Sequence, residues 1–192
     1  MKLRRLYLFL IMVFLNLWMI ACKGEHRAVS AKEPPGTLPQ SVSIQWNIGD
    51  IRLCIAEKEQ FAVTDDAHLS SLSQDESGTL FIRSPKHSIW RAVGSTLTVI
   101  LPPSVGLLEI RSDAGCIELC GDIPAEVKIE TKTGSVLWEC DENAEFLIMT
   151  DAIFRCELPV QRIEGGYRCQ NGSRRIFFNS KEGEFRIRVG NN

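Results

Sequence analysis

The sequence predicts an all-β domain built from short strands stacked in a solenoid-like or prism-like repeat. Three observations carry that expectation. From Ser41 onward, apolar residues alternate with polar ones in short segments, and no long stretch keeps a 3.6-residue apolar period. Two strand-length units repeat at an offset of 19 residues, and glycines punctuate them. With 192 residues and 44% hydrophobic content, the chain has room for one ordinary core plus an N-terminal extension.

The extension comes first along the chain. Lys2, Arg4 and Arg5 form a positive segment, Leu6 to Ala21 is almost unbroken apolar sequence, and Met19-Ile20-Ala21-Cys22 closes it. Such a pattern is a secretory signal with a small residue before the cut, not an element of a fold. The closing residues resemble a lipobox, in which the cysteine is diacylated and becomes the mature N-terminus. The usual leucine of its first position is Met19 here. An uncleaved anchor helix is the weaker reading, because the apolar run is shorter than the roughly 20 residues a span needs and contains Asn16. Arg4-Arg5 resembles a twin-arginine signal only in that pair, and the strongly apolar run after it suits general secretion. Lys23 after the cysteine, where an aspartate would retain the protein at the inner membrane, points to outer-membrane sorting by analogy with enteric bacteria. Residues 1–22 are thus expected to be the signal peptide, with Cys22 the lipidated residue and the lipid the link to a membrane of the cell envelope.

Residues 23–40 are polar and hold Pro34, Pro35, Gly36 and Pro39, a composition suited to a flexible tether. The domain is expected over 41–192. Val42 to Trp46, Ile51 to Ile55, Leu80 to Ile82 and Leu97 to Leu101 read as strands, with Asn47-Ile48-Gly49-Asp50 a turn signal between the first two. The stretch 57–74 allows either a strand at Phe61 to Val63 followed by a loop or a short helix around Ala67 to Leu72.

After Pro102-Pro103 the repeat becomes explicit. Leu108-Glu109-Ile110-Arg111-Ser112-Asp113-Ala114-Gly115-Cys116-Ile117-Glu118-Leu119 aligns with Val127-Lys128-Ile129-Glu130-Thr131-Lys132-Thr133-Gly134-Ser135-Val136-Leu137-Trp138. A third copy starts at Phe146, with Ile153 at the glycine position. A fourth places Gly172 in step with Gly134, and Phe185 to Val189 closes the domain. Each unit reads as strand, glycine turn, strand, with Gly115 and Gly134 expected at positive φ. Residues two apart share a face, so Val127 and Ile129 face one side while Lys128 and Glu130 face the other.

This pattern, apolar-x-apolar-x-Ser/Thr-x-x-Gly-x-apolar-x-apolar after Leu97-Thr98-Val99-Ile100-Leu101-Pro102, resembles the β-strand-repeat family of bacterial envelope proteins that carry the adhesin label. It is similar to auto-transporter adhesin head domains, and the likeness covers roughly residues 41–189. Ile48-Gly49-Asp50-Ile51-Arg52-Leu53 resembles that family's opening strand turn. The resemblance implies a single domain of stacked strands and supplies no catalytic residue to carry over.

Chemistry-bearing residues are sparse. Three of the 22 basic residues precede Cys22, which leaves 19 basic against 24 acidic residues and a charge near −5, the wrong sign for a nucleic-acid partner. Besides Cys22 there are Cys54, Cys116, Cys120, Cys140, Cys156 and Cys169. Cys120 and Cys140 are about one repeat apart and form the candidate disulfide; free buried thiols are the alternative. No Cys-x-x-Cys pair occurs and His26, His68 and His87 are scattered, so no metal site is expected. Glu139, Asp141 and Glu142, like Asp65 and Asp66, sit beside turn-like sequence where solvated carboxylates are the default. Trp46, Trp90 and Trp138 read as core residues ahead of a sugar-stacking surface, and Arg174, Arg175, Arg186 and Arg188 as solvated strand positions. No nucleophile, cofactor or phosphate-binding motif is present. The expected function is non-enzymatic: a lipid-anchored binding or scaffold domain for an unknown protein or glycan. The alternatives are a polysaccharide-processing envelope enzyme or a structural part of an envelope complex.

Overall fold

Alternation decides the local structure, because a side chain every second residue on one face gives a strand one dry side and one wet side. In the computed structural model, which describes residues 37–67, 70–84 and 94–190, the described residues form strands, turns and loops and no helix. Cys22, most of the tether, Trp90 and the three histidines lie outside the described residues.

The strands are β1 (Ser41–Ile48), β2 (Asp50–Ile55), β3 (Ala62–Asp65), β4 (Ser71–Gln74), β5 (Thr79–Arg83), β6 (Thr96–Leu101), β7 (Leu107–Cys120), β8 (Glu126–Cys140), β9 (Phe146–Thr150), β10 (Ile153–Cys156), β11 (Gln161–Ile163), β12 (Gly166–Cys169), β13 (Arg174–Ser180) and β14 (Glu184–Val189). The stretch 57–74 therefore carries two strands, β3 and β4. The helix alternative fails there because Ser71 to Gln74 pair antiparallel with β5.

The strands stack as rungs that turn a corner. One face runs β11-β12-β9-β13-β8-β7-β1-β5-β4. The other runs β3-β6-β2-β7-β8-β14-β10, and the long strands β7 and β8 pass through the corner and belong to both. Pairing is parallel through the interior of the stack; antiparallel strands cap one end on both faces, β4 on the first and β3 on the second, and β12 with β11 cap the other end on the first face, while β10 ends the second face in parallel pairing with β14. Such end strands cover sheet edges that would otherwise invite pairing with another chain.

The 19-residue repeat is the register itself. Leu108 lies opposite Val127, Gly115 opposite Gly134 and Leu119 opposite Trp138. The units are not hairpins, however. The residues on either side of Gly115 continue one strand around a corner, and Asn47 to Asp50 likewise lead from one face to the other, since β1 and β2 each pair parallel with a different half of β7. A reversal would have brought the two halves of a unit antiparallel; a corner lets equivalent halves of successive units pair in parallel.

The stacking order also departs from chain order. From one end to the other the rungs are β5/β6, β1/β2, β7, β8, β13/β14 and β9/β10. The departures are at two junctions: β1/β2, not β5/β6, lies beside β7, and β13/β14, not β9/β10, lies beside β8. The third copy occupies the far end, and the last segment slots between it and β8.

Inside the corner the two faces pack on each other. Val42, Ile44 and Trp46 point in from one face, and Ile51 and Leu53 from the other, all essentially inaccessible. Phe178 and Phe185, from opposite faces of one rung, meet edge to face with ring centroids 5.3 Å apart, and Trp138 meets Phe146 similarly at 5.4 Å. Trp46 and Trp138 are thus core residues.

Gly115 has the expected positive φ of 131°, but Gly134 does not. Its glycine is required by close approach: a Cβ there would lie 2.7 Å from the Gly115 carbonyl oxygen and 2.8 Å from Thr131 Oγ1. Gly49, Gly115, Gly134 and Gly183 form a column at the corner, where a Cβ on each of the last three would collide with the carbonyl of the glycine in the preceding rung. The corner glycine of the last unit in the chain is accordingly Gly183, and Gly172 (φ 67°) lies in the turn that precedes β13. The repeat's Ser/Thr, three residues before the glycine, is buried at the same corner, with Thr131 Oγ1 donating to the Gly134 carbonyl at 3.5 Å.

Candidate functional site

The wet side of the first face is built by the outward positions of β1, β7, β8, β13 and β9. Because the rungs are parallel and in register, like positions fall into rows across the strands. Charges of opposite sign alternate along these rows: Lys128 Nζ reaches Glu126 at 3.0 Å and Glu109 at 3.5 Å, Arg175 reaches Glu126 at 2.7 Å, Arg111 reaches Glu130 at 3.2 Å and Lys132 reaches Asp113 at 2.7 Å. The hydrogen bond from Lys128, together with the charges of Lys128 and Arg175, holds the Glu126 carboxyl below its usual range. The hydrogen bond to Glu126, with the charges of Glu126 and Glu109, holds Lys128 above its usual range. Solvent-exposed pairs of this kind add little to stability. Their effect is to fix charged heads in a periodic array.

One apolar side chain interrupts the array. Phe177 is 39% exposed and lies in register between Lys128 of β8 and Met149 of β9. A shallow groove of about 560 Å³ runs beside it, lined also by Glu130, Asp151 and Asn179. A second groove of about 460 Å³ shares Glu130 and Asn179 and continues across Arg111 and Asp113 to Gln45 and Asn47. The two grooves adjoin at Glu130 and Asn179, the first flanked by the apolar Phe177 and Met149 and the second by amide, carboxylate and cationic groups.

The carboxylates singled out from sequence are occupied elsewhere. Asp65 is buried, not solvated, and accepts from the backbone N–H groups of Ala67 at 3.0 Å and Ser70 at 2.6 Å; Asp66 accepts from Thr96 N at 2.9 Å. Asp141 accepts from Asn143 N at 2.9 Å and holds the turn after β8. Glu139 and Asp141 border a third groove, of about 760 Å³, in which Asp122 is paired with Arg174. The Trp138 indole that borders it is buried and donates to the Gly121 carbonyl at 2.8 Å. Arg175 pairs with Glu126 and Arg186 with Glu184. No group of three or more His, Cys, Asp or Glu among the described residues is arranged to hold a metal ion.

The six cysteines among the described residues are thiols in this structure. Cys120 and Cys140 do stack on adjacent rungs, but Cys120 lies opposite Glu139, one step out of register with Cys140. Neighbours along a strand face opposite sides, so the two thiols diverge and the Cys120 to Cys140 pairing is not formed. Cys120 is instead the register partner of Cys54. Burial pushes the Cys140 thiol up from 9.0 to about 12, with Cys156 and Cys169 nearby adding to it. Sequence reasoning did not single out Phe177 or the Cys54 and Cys120 pair. The latter was signalled by Ile51-Arg52-Leu53-Cys54 and Ile117-Glu118-Leu119-Cys120, which share one pattern.

Fold and surface together define a class: a capped stack of parallel strand rungs with a dry corner and a flat, charged outer face. Among solved structures the chain is similar to a putative cell adhesion protein from Clostridium sporogenes, at a TM-score of 0.59 and 10% identity, covering 84% of this chain and 97% of that one. A putative adhesin from Bacteroides fragilis aligns over 84% of this chain and 96% of its own, at 9% identity and a TM-score of 0.32. The first likeness is one of fold. No family model matches the chain, and no curated protein matches it.

Proposed function

We propose that the chain is an exported lipoprotein, held to a membrane of the bacterial envelope through a lipid on Cys22, whose β-repeat domain binds an envelope protein or glycan. The observation that carries the reading is the pair of adjoining grooves on the first face, where Phe177 flanks one and fixed charges and amides line the other. A flat, periodic, polar surface with one exposed ring suits an extended ligand gripped at many points, and the adhesion label of the Clostridium sporogenes structure agrees with that use. Binding energy on such a face concentrates in a few aromatic and arginine side chains. The residues are Phe177 and Arg111, with Asn179 and Glu130 orienting the ligand.

Two experiments test the proposal. Metabolic labelling with a fatty-acid probe marks the wild type and misses Cys22→Ala; label persisting on that variant removes the anchor. The purified protein is then assayed for retention on envelope fractions and for polysaccharide cleavage, alongside Phe177→Ala, Arg111→Ala and Asp141→Asn. Retention falls severalfold in the first two and is unchanged in the third. Turnover in the wild type that vanishes in Asp141→Asn replaces the binding reading with the polysaccharide enzyme.

A further inference from the structure

Outward positions of β2 and β7 face solvent on the second side of the corner. Ile51 and Leu53 point inward, so Arg52 and Cys54 point out; Ile117 and Leu119 point inward, so Glu118 and Cys120 point out. The two strands are parallel neighbours in which Arg52 lies opposite Glu118 and Cys54 opposite Cys120. The first pair closes an ion pair of 3.4 Å, which shows that side chains at these positions reach each other across the strands. Register partners on adjacent strands have Cα atoms about 4.8 Å apart, inside the span of roughly 4.4–6.8 Å that a disulfide accepts.

We propose that Cys54 and Cys120 are a disulfide-forming pair, a modification site that ties the β1/β2 rung to β7. The bridge closes the excursion in which the chain leaves β2, builds the end rung with β3 to β6, and returns. The other thiols are not competitors. Cys116 shares the outward side of β7 but lies about 13 Å along the strand from Cys120. Cys140 faces inward from β8, and Cys156 and Cys169 belong to strands at the far end of the stack.

Burial, and after it the hydrogen bond with Cys120, pushes the Cys54 thiol up to about 11. Cys54 therefore rests as a thiol until a disulfide-bearing oxidant meets it. One thiolate of the pair attacks the oxidant's disulfide, forming a mixed disulfide and releasing one reduced thiol. The second thiolate attacks the protein sulfur of that mixed disulfide, forming the Cys54 to Cys120 bond and releasing the other. Two electrons pass to the oxidant, and the two thiol protons end on its reduced halves. None of this depends on the anchor or the ligand, because the test supplies the oxidant.

The full-length protein, extracted in mild detergent, is incubated with oxidised glutathione, alkylated and digested without reduction. Cleavage after Arg52 and Lys58 isolates Cys54, and cleavage after Glu118 separates Cys116 from Cys120, so mass spectrometry assigns the bridge. The expected product joins the Cys54 peptide to the Cys120 peptide, and the oxidised protein melts roughly 5–15 °C above the reduced one. Cys120→Ser, melting like the reduced wild type, forms no bridge at Cys54, which is recovered as alkylated thiol or as its unresolved glutathione adduct, and shows no rise with oxidant. Full alkylation of Cys54 in the oxidised wild type, a glutathione adduct that persists on it, or a bridge to any other cysteine overturns the proposal.

Discussion

Replacing Gly183 by alanine should separate two rungs. An alanine Cβ at this position would lie 2.0 Å from the Gly134 carbonyl oxygen and 2.5 Å from Ser180 Oγ, where ordinary contact begins at 3.4 Å. The Gly134 carbonyl is backbone in the β8 ladder and cannot give way, whereas the Ser180 hydroxyl, which has no hydrogen-bond partner, can rotate aside. Relief requires the β13/β14 corner to move away from β8 by more than an ångström. Overpacking of this kind costs about 1–3 kcal/mol, and one or two stretched ladder hydrogen bonds add about 1 kcal/mol each. The total of about 2–5 kcal/mol translates into a fall in Tm of roughly 4–20 °C for a chain of this size. Gly106→Ala is the matched control: its Cβ meets nothing nearer than Gln40 O at 4.0 Å, and it should melt at or slightly above the wild type because it restricts the unfolded chain. Thermal melts followed by circular dichroism decide the matter. If Gly183→Ala melts together with Gly106→Ala, the glycine column is not what sets the spacing at the corner.

Three further outcomes are expected. The protonated Cys140 thiol is favoured by folding, since its folded value of about 12 lies above the ordinary 9.0; that contribution is fully present below pH 9 and is lost as the pH climbs toward 12, so Tm should fall less steeply over this window in Cys140→Ala, and equal slopes refute it. Lys128→Ala should return the Glu126 carboxyl upward toward its ordinary range, because the Lys128 hydrogen bond is the main cause of its depression; the carboxyl resonance followed by NMR through acid titration reads this, and an unmoved midpoint refutes it. Trp138→Phe should cost about 1–3 kcal/mol in chemical denaturation, from a smaller ring in a closed core and the loss of the donor to Gly121 O.

Much of the fold was legible in the sequence because it is written in parity and period. Alternation assigns each side chain of Val127 to Glu130 to the dry or the wet side, and the 19-residue offset became the pairing of β7 with β8 without adjustment. Parity does not choose a strand's neighbour. Every rung offers the same parallel hydrogen-bond ladder, so the insertion of β13/β14 between β8 and β9/β10 is decided by connection lengths and by which side chains fill the corner, such as Phe178 against Phe185. The same limit explains the glycines and the cysteines. A glycine marks a special position, but whether φ or close approach demands it depends on what lies 2–3 Å away in another rung. Cys120 and Cys140 are one repeat apart to within a single residue, and in a structure with a two-residue period that residue turns the thiols to opposite sides. The chain by itself thus determined most of the strands of the rungs, which side of each is buried, and that Gly49, Gly115 and Gly134 hold special positions between them. Only the tertiary structure decided the order of the rungs, and with it that Cys54 lies beside Cys120 and Phe177 between Lys128 and Met149, because those contacts join segments that no local pattern links.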